Sequence, residues 1–298
     1  MIMLDYNPTL EDYDTLLTGY MPTLPEEGMG YLEYIREAYY VNIKKDKFQF
    51  AILAFHIMYM SFIYKTLWLI KNTEPDKSKN FFDGNQIETK QLNDFFDFSP
   101  ATEKNSIKTL KFLGFHQNLI NSYCNFVDIR NDCAHCAGFI QYKNEEDLKT
   151  KFKDIIKSVE TIFSKYTPLL KRLFEEYLNS ISKDTSAISF SVEDFIYHNG
   201  ISQKDFEFLA TQDWPFLKLP ITDIPAMRKK VFLLTMLCQH GDTDMFISKF
   251  SSVFQNIPET DLRDIITSYF GFLSPDSYEI REIEAKMEIS LFPPTEQN

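Results

Sequence analysis

The sequence predicts an all-α protein, and three observations carry that reading. Glycine is scarce, nine in 298 residues, and few of them are paired or clustered, which argues against a glycine-rich phosphate-binding fold and favours helices. Apolar residues recur three and four apart over most of the chain, as at Ile107, Leu110 and Leu113, the period of one helix face. No stretch alternates apolar and polar residues in the way a half-buried strand requires. Large apolar side chains are plentiful, with 28 Phe and 16 Tyr, so the chain can bury a substantial core and wholesale disorder is excluded.

The elements follow in order. Residues 1–22 are expected to be an irregular lead-in. Thr23-Leu24-Pro25, followed by Glu26 and Glu27, marks a helix start, with proline near the first helical position and acids in the first turn. That helix is expected to run to Ile43. The next, Asp46 to Lys71, is apolar nearly all round, as a central bundle element is. Its most apolar stretch, Phe48–Tyr64, is slightly short for a membrane span and contains Gln49, His56 and Ser61, so a buried helix is expected there. Residues 72–104 carry the turn signals Glu74-Pro75-Asp76 and Asp83-Gly84-Asn85 and read as a long insertion with one short helix near Glu88–Phe96. Two helices over Ile107–Leu113 and Leu119–Val127 lead into Arg130. A turn near Gly138–Asn144 precedes a long amphipathic helix from Glu145 to Leu178.

Asn179–Ile188 is polar and reads as a linker, so three regions are expected: the lead-in 1–22, a helical bundle 23–182 and a C-terminal helical domain 183–298. In the last region Ser191…Asp194 and Ser202…Asp205 have the spacing of capping boxes, with Asp in the Glu position. Asn199-Gly200 separates them. Pro215, Pro220 and Pro225 punctuate a loop. Helices are expected at 226–239, 244–254 and 259–270, with Gly241 and Gly271 as C-caps.

The net charge is −12. Proteins that coat nucleic acid are usually basic, because Lys and Arg neutralise phosphate, so any RNA contact here must be a local basic spot. Lys44-Lys45-Asp46-Lys47 and the group Lys149, Lys151, Lys153 and Lys157 are such spots, though a solvated helix face explains them as well. Four cysteines in a chain this long form no disulfide framework. The N-terminus lacks the basic and apolar regions of a signal peptide. A cytoplasmic protein with no membrane contact is expected. The acids Glu193, Asp194, Asp205 and Glu207 argue against reading of a DNA groove by the 191–210 segment.

One constellation carries chemistry: Arg130-Asn131-Asp132-Cys133-Ala134-His135. On an ideal helix, positions five apart lie about 140° apart, so Arg130 and His135 flank one wide face. They share a cleft only if the helix bends or a second subunit closes over it. Histidine titrates near neutrality and serves as base or acid. Arginine keeps its charge and matches phosphate oxygens with a rigid fork. Asn131 is placed to donate to phosphate or to orient the imidazole. These groups suit RNA cleavage by internal 2′-hydroxyl attack, which needs no metal and no cofactor. The bland alternative pairs Arg130 with Asp128 or Asp132 and buries His135 as a core histidine. Cys133-Ala134-His135-Cys136 also invites a zinc reading, but no second Cys/His cluster follows, and small buried cysteines are expected instead.

Arg-Asn-Asp-x-Ala-His after a helix of a helical bundle resembles the Arg-x4–6-His motif of the HEPN superfamily, over residues 23–182. The resemblance implies a four- or five-helix bundle, a homodimer whose two motifs form one composite site, and a metal-independent endoribonuclease of toxin, abortive-infection or CRISPR-linked antiviral defence systems. It implies Arg130 and His135 as the catalytic pair and Asn131 as the polar accessory, with RNA as substrate and a protein regulator or antitoxin as a further partner. One toxin branch carries Tyr two residues after the His; Ala137 stands there in this chain. Some HEPN domains are non-catalytic interaction or sensing modules, which gives a second expectation from another functional class.

Overall fold

The computed structural model of the chain describes residues 8–90, 92–135, 142–183, 191–255, 257–274, 277–289 and 291–292. Among these residues the protein is all-α, with thirteen helices and no strand. It divides into two units.

The first unit comprises residues 1–173 and 193–205. Its axis is α3, Phe48–Thr73. The helix begins with Phe-Gln-Phe-Ala-Ile-Leu-Ala-Phe and stays apolar on every side, so burial leaves almost no exposed face; between Phe48 and Ile70 only Phe50 and Ile57 are exposed. Helix α2, Glu26–Lys44, packs along it, as does α6, Gln117–Ala134. The first part of α7, Glu145–Lys183, closes the bundle through aromatic contacts. Phe152 lies 4.1 Å from Phe55, 5.6 Å from Tyr39 and 5.8 Å from Tyr13, ring centre to ring centre. Helix α3 is long and apolar enough to cross a membrane, yet 83% of its most apolar 18-residue window is buried inside the protein.

Several expectations are corrected here. The lead-in is not irregular: Leu10–Thr18 forms α1, started by a capping box in which Thr9 and Asp12 satisfy each other's backbone N–H. Residues 75–84 are helix α4 with Pro75 at its first position, because a proline there loses no helical bond. The short helix expected near Glu88–Phe96 is a 3₁₀ turn at Phe95–Phe98. Glu103–Thr109 forms α5 behind the Thr102 cap. Helix α7 runs to Lys183, past the expected end at Leu178; Asn179, Ser180 and Ser182 are polar, and Ser180 and Ser182 bond back to the carbonyls of Tyr177 and Asn179 instead of breaking the helix. The boundary expected at 182/183 therefore falls at the end of a helix, and the compact units change over at Leu173, inside it. Of the expected linker Asn179–Ile188, residues 184–188 lie outside the described residues.

A buried polar cluster ties sequence-distant parts of this unit together. Lys65 of α3 is 2% exposed and ion-pairs with Asp205, itself fully buried. Its ammonium also donates to Ser202 Oγ at 2.8 Å, and the Tyr166 hydroxyl of α7 donates to Asp205 Oδ1 at 2.8 Å. Ser202 and Asp205 form the capping box that opens α9, Gln203–Thr211, so the box expected from sequence is also the core's counter-ion. Asp205, named above among the acids that argue against DNA-groove reading, is the buried partner of a lysine. Burial lowers the pKa of Lys65 and Asp205 opposes that shift. Asn199-Gly200 makes the turn before it: Gly200 has φ +60°, and a side chain there would meet the Phe95 ring at 3.1 Å. Trp68 Nε1 donates to the carbonyl of His198 in α8, Val192–Asn199.

The second unit, residues 174–192 and 206–298, has its own aromatic core. Trp214 is 1% exposed and lies 5.3 Å from Phe174. Phe246 and Phe250 of α11, Thr243–Phe254, pack on Phe270, which ends α12, Glu259–Tyr269. Helix α10, Ile224–His240, starts with Pro225 in its first turn and ends on Gly241, and α13 covers Tyr278–Met287.

The Lys65–Asp205 pair yields a prediction. Asp205→Ala leaves a buried ammonium without its counter-ion, which costs about 3–5 kcal/mol, so its urea midpoint is expected to fall sharply. Lys65→Met combined with Asp205→Ala removes the orphaned charge and is expected to recover part of the loss. A single Asp205→Ala as stable as wild type contradicts the pair's role.

Candidate functional site

Helix α6 carries the motif at its C-terminal end. It packs on α3 through Phe126, whose ring lies 5.7 Å from Tyr59, and on α5. Its last turn is held by Gln49 of α3, whose side-chain amide donates to the Cys133 carbonyl at 2.9 Å, satisfying one of the carbonyls a helix end leaves open. The helix stops at Ala134. His135 is the C-cap, in extended conformation with φ −84° and ψ 146°, its N–H donating to the Asn131 carbonyl at 2.9 Å. The 140° estimate for an unbroken helix therefore does not hold for this pair, because His135 has left the helical path.

The His135 side chain is exposed, and no hydrogen bond from its ring to a described residue is formed. The core-histidine alternative fails for it. Arg130 is 33% exposed. It pairs with neither Asp128 nor Asp132. Asp128 takes Lys104 at 2.5 Å. Arg130 Nη1 donates to Asn131 Oδ1 at 2.9 Å, and Nη2 donates to the Glu103 carboxylate. The other oxygen of Glu103 lies 3.0 Å from His56 Nε2. Three helices thus supply a chain of polar groups, His56 (α3), Glu103 (α5), Arg130 and Asn131 (α6). His56 is 1% exposed, and its Nδ1 is buried without a hydrogen-bond partner among the described residues.

The electrostatics follow from burial and pairing. Burial pushes the Glu103 carboxyl up, but the hydrogen bonds and charges of His56 and Arg130 outweigh it and hold the group below the ordinary carboxylate range. Tyr64 is 8% exposed, and burial, then the charge of Glu103, pushes its hydroxyl up to about 12, with Arg130 opposing. Burial pushes the Cys133 thiol up to about 11, away from the reactive thiolate form. Cys136 and Ala137 lie outside the described residues. Among the described residues no group of three His, Cys, Asp or Glu is placed to hold a metal ion.

Beside the motif, a groove of about 370 Å³ runs between α6 and α7. Tyr123, Phe126 and Ile129 line it from α6; Lys151, Asp154 and Lys157 line it from α7. Lys149, from the same basic group, is instead paired with Glu145 at 2.8 Å. Six large apolar side chains are exposed on the α2–α3 pair, from 37% to 68%: Met29, Tyr31, Tyr34, Val41, Phe50 and Ile57. On each helix the last five sit three or seven residues apart, along one stripe.

Sequence reasoning placed Arg130, Asn131 and His135 but missed Glu103 as the partner of Arg130 and His56 as the partner of Glu103. Glu103 is 27 residues from Arg130 and 47 from His56, too far for any local pattern. The usable signal was His56 itself, since a histidine inside an apolar helix must find a polar partner.

A pH prediction follows. A carboxyl with a lowered folded pKa contributes stability that is present above its unfolded value, about 4.5, and lost as pH falls through its folded value. The stability advantage of wild type over Glu103→Gln is therefore expected to shrink as pH falls below about 4.5. A difference independent of pH down to pH 3 contradicts an ionised, paired Glu103.

Comparison of the chain with models of known protein families, with curated proteins and with solved structures found no match in any of the three.

Proposed function

We propose that the protein is a metal-independent endoribonuclease of the HEPN type, working as a homodimer. The observation that supports it most is the exposed imidazole of His135, which bonds to no described residue, five residues beyond an arginine whose guanidinium is one-third exposed. The reaction class is transesterification within RNA. The 2′-oxygen bonds to phosphorus while His135 takes the hydroxyl proton. The P–O5′ bond breaks, and the leaving oxygen takes a proton from an imidazolium, that of the same His135 or of its twin. Arg130 and Asn131 offer N–H donors to the phosphate oxygens as negative charge builds. Lys151 and Lys157 in the neighbouring groove supply the local cations that an acidic chain needs near RNA. A role as a defence or toxin effector under a protein regulator belongs to this reading.

A second reading, a non-catalytic HEPN interaction module, has one observation in its favour: Arg130 is already engaged by Glu103 and Asn131. The test is cleavage of RNA by purified protein with and without EDTA. His135→Ala is expected to lose about 10²–10⁴-fold with unchanged melting, and Arg130→Ala a comparable amount in a protein that still folds. Arg130→Lys is expected to fail too, since a point charge does not replace the fork. Activity that EDTA abolishes and Mg²⁺ restores overturns the mechanism, and full activity in a folded His135→Ala protein overturns the assignment.

The dimer is supported by the exposed apolar side chains that recur along α2 and α3, a kind of surface that protein contacts cover, and by their position: Gln49, which holds the end of α6, precedes Phe50. Sedimentation is expected to show a dimer at micromolar concentration, and Tyr34→Glu with Phe50→Glu a folded monomer of low activity. A wild-type monomer contradicts the composite site.

A further inference from the structure

We propose that Glu103 is the positioning residue for Arg130: anchored from behind by buried His56, its carboxylate fixes the guanidinium beside Asn131 and leaves the remaining donors for a substrate phosphate. The inference rests on the ribonuclease reading and adds to it a residue that the motif does not contain.

The geometry argues for it in three steps. First, the carboxylate is divided: one oxygen accepts from Arg130 Nη2 and the other meets His56 Nε2 at 3.0 Å. An exposed Arg–Glu pair by itself holds little, because two long side chains must be immobilised for a weak gain. Here the acid's side chain is only 18% exposed and the histidine behind it is buried, which keeps the carboxylate from swinging away with the arginine. Second, the contacts are single-pronged. A guanidinium has five N–H donors; one goes to Glu103 and one to Asn131. Three are left on a group that is one-third exposed. Third, the anchor stands on α3, the most buried element, and rigid elements place a functional group more exactly than loops do. Arg130 sits in the last two turns of α6, where helices fray; Glu103 and Gln49 both tie that end to the interior.

The experiment is a double-mutant cycle on single-turnover RNA cleavage, with thermal melts alongside. Glu103→Ala is expected to slow cleavage on the order of 10²-fold, the scale of a misplaced reacting group, with Glu103→Gln intermediate and a KM changed far less than kcat. In an Arg130→Ala background, Glu103→Ala is expected to add nothing, because it acts through Arg130. A further loss in that background, or cleavage faster than wild type in Glu103→Ala, overturns the proposal; the faster rate would make Glu103 an inhibitor of the site. A second arm needs no catalysis. In ¹⁵N NMR, the Arg130 guanidinium signals, identified by their loss in Arg130→Ala, are expected to be separate and slowly rotating in wild type and averaged in Glu103→Ala. If wild type cleaves no RNA, the ribonuclease reading falls, and this arm still decides whether Glu103 fixes Arg130. Averaged signals already in wild type overturn it.

Discussion

The burial of α3 on all its sides is the constraint on which the first unit depends. A 26-residue helix with an apolar surface all round must be enclosed, and α2, α6 and α7 enclose it. Enclosure then acts on the few polar groups the helix carries. Lys65 cannot reach water, so Asp205 must come to it, which brings the start of α9 and the Tyr166 hydroxyl to the same point. His56 cannot reach water either, so Glu103 must come to it from α5. The second of these forced pairings ends at the guanidinium of Arg130, and in this way a core requirement sets the geometry of a group at the surface.

That logic explains which parts were legible in the sequence. The all-α class, the central helix over Phe48–Lys71, the Ser202–Asp205 cap and the Gly241 stop were readable, because periodicity, apolarity and cap chemistry are local signals. Helix α1 was missed although its signals were present: Leu10, Tyr13 and Leu17 recur at helical spacing and Thr9 and Asp12 stood at capping-box spacing, but the element is only nine residues long. The end of α7 was placed too early because Asn179, Ser180 and Ser182 look like linker residues. In the helix those two serines bond back to carbonyls three residues earlier, an arrangement that composition does not reveal.

The candidate site divides in the same way. Arg130, Asn131 and His135 form a contiguous motif and were found by spacing and chemistry. Their surroundings are long-range. That Arg130 would choose Glu103 over the nearer Asp128 and Asp132 depends on the packing of α5 against α6, which also gives Asp128 to Lys104. That His135 would be exposed depends on the helix ending one residue before it. Both features matter to the proposed ribonuclease. An exposed imidazole at a helix end is available to a substrate, and a guanidinium held by a buried acid keeps its direction without spending all its donors.

The chemistry of the cut ends tests the central claim most directly. Attack by the 2′-hydroxyl, assisted by His135 and stabilised by Arg130, must leave a 2′,3′-cyclic phosphate on one fragment and a 5′-hydroxyl on the other. Mass spectrometry of the fragments released from a defined RNA by the purified protein is predicted to show those ends, and the same RNA blocked by 2′-O-methylation at the cleavage position is predicted to stay intact. Fragments ending in 3′-hydroxyl and 5′-phosphate, or cutting of the methylated RNA, would mean that water and not the 2′-hydroxyl is the nucleophile, and would contradict the account.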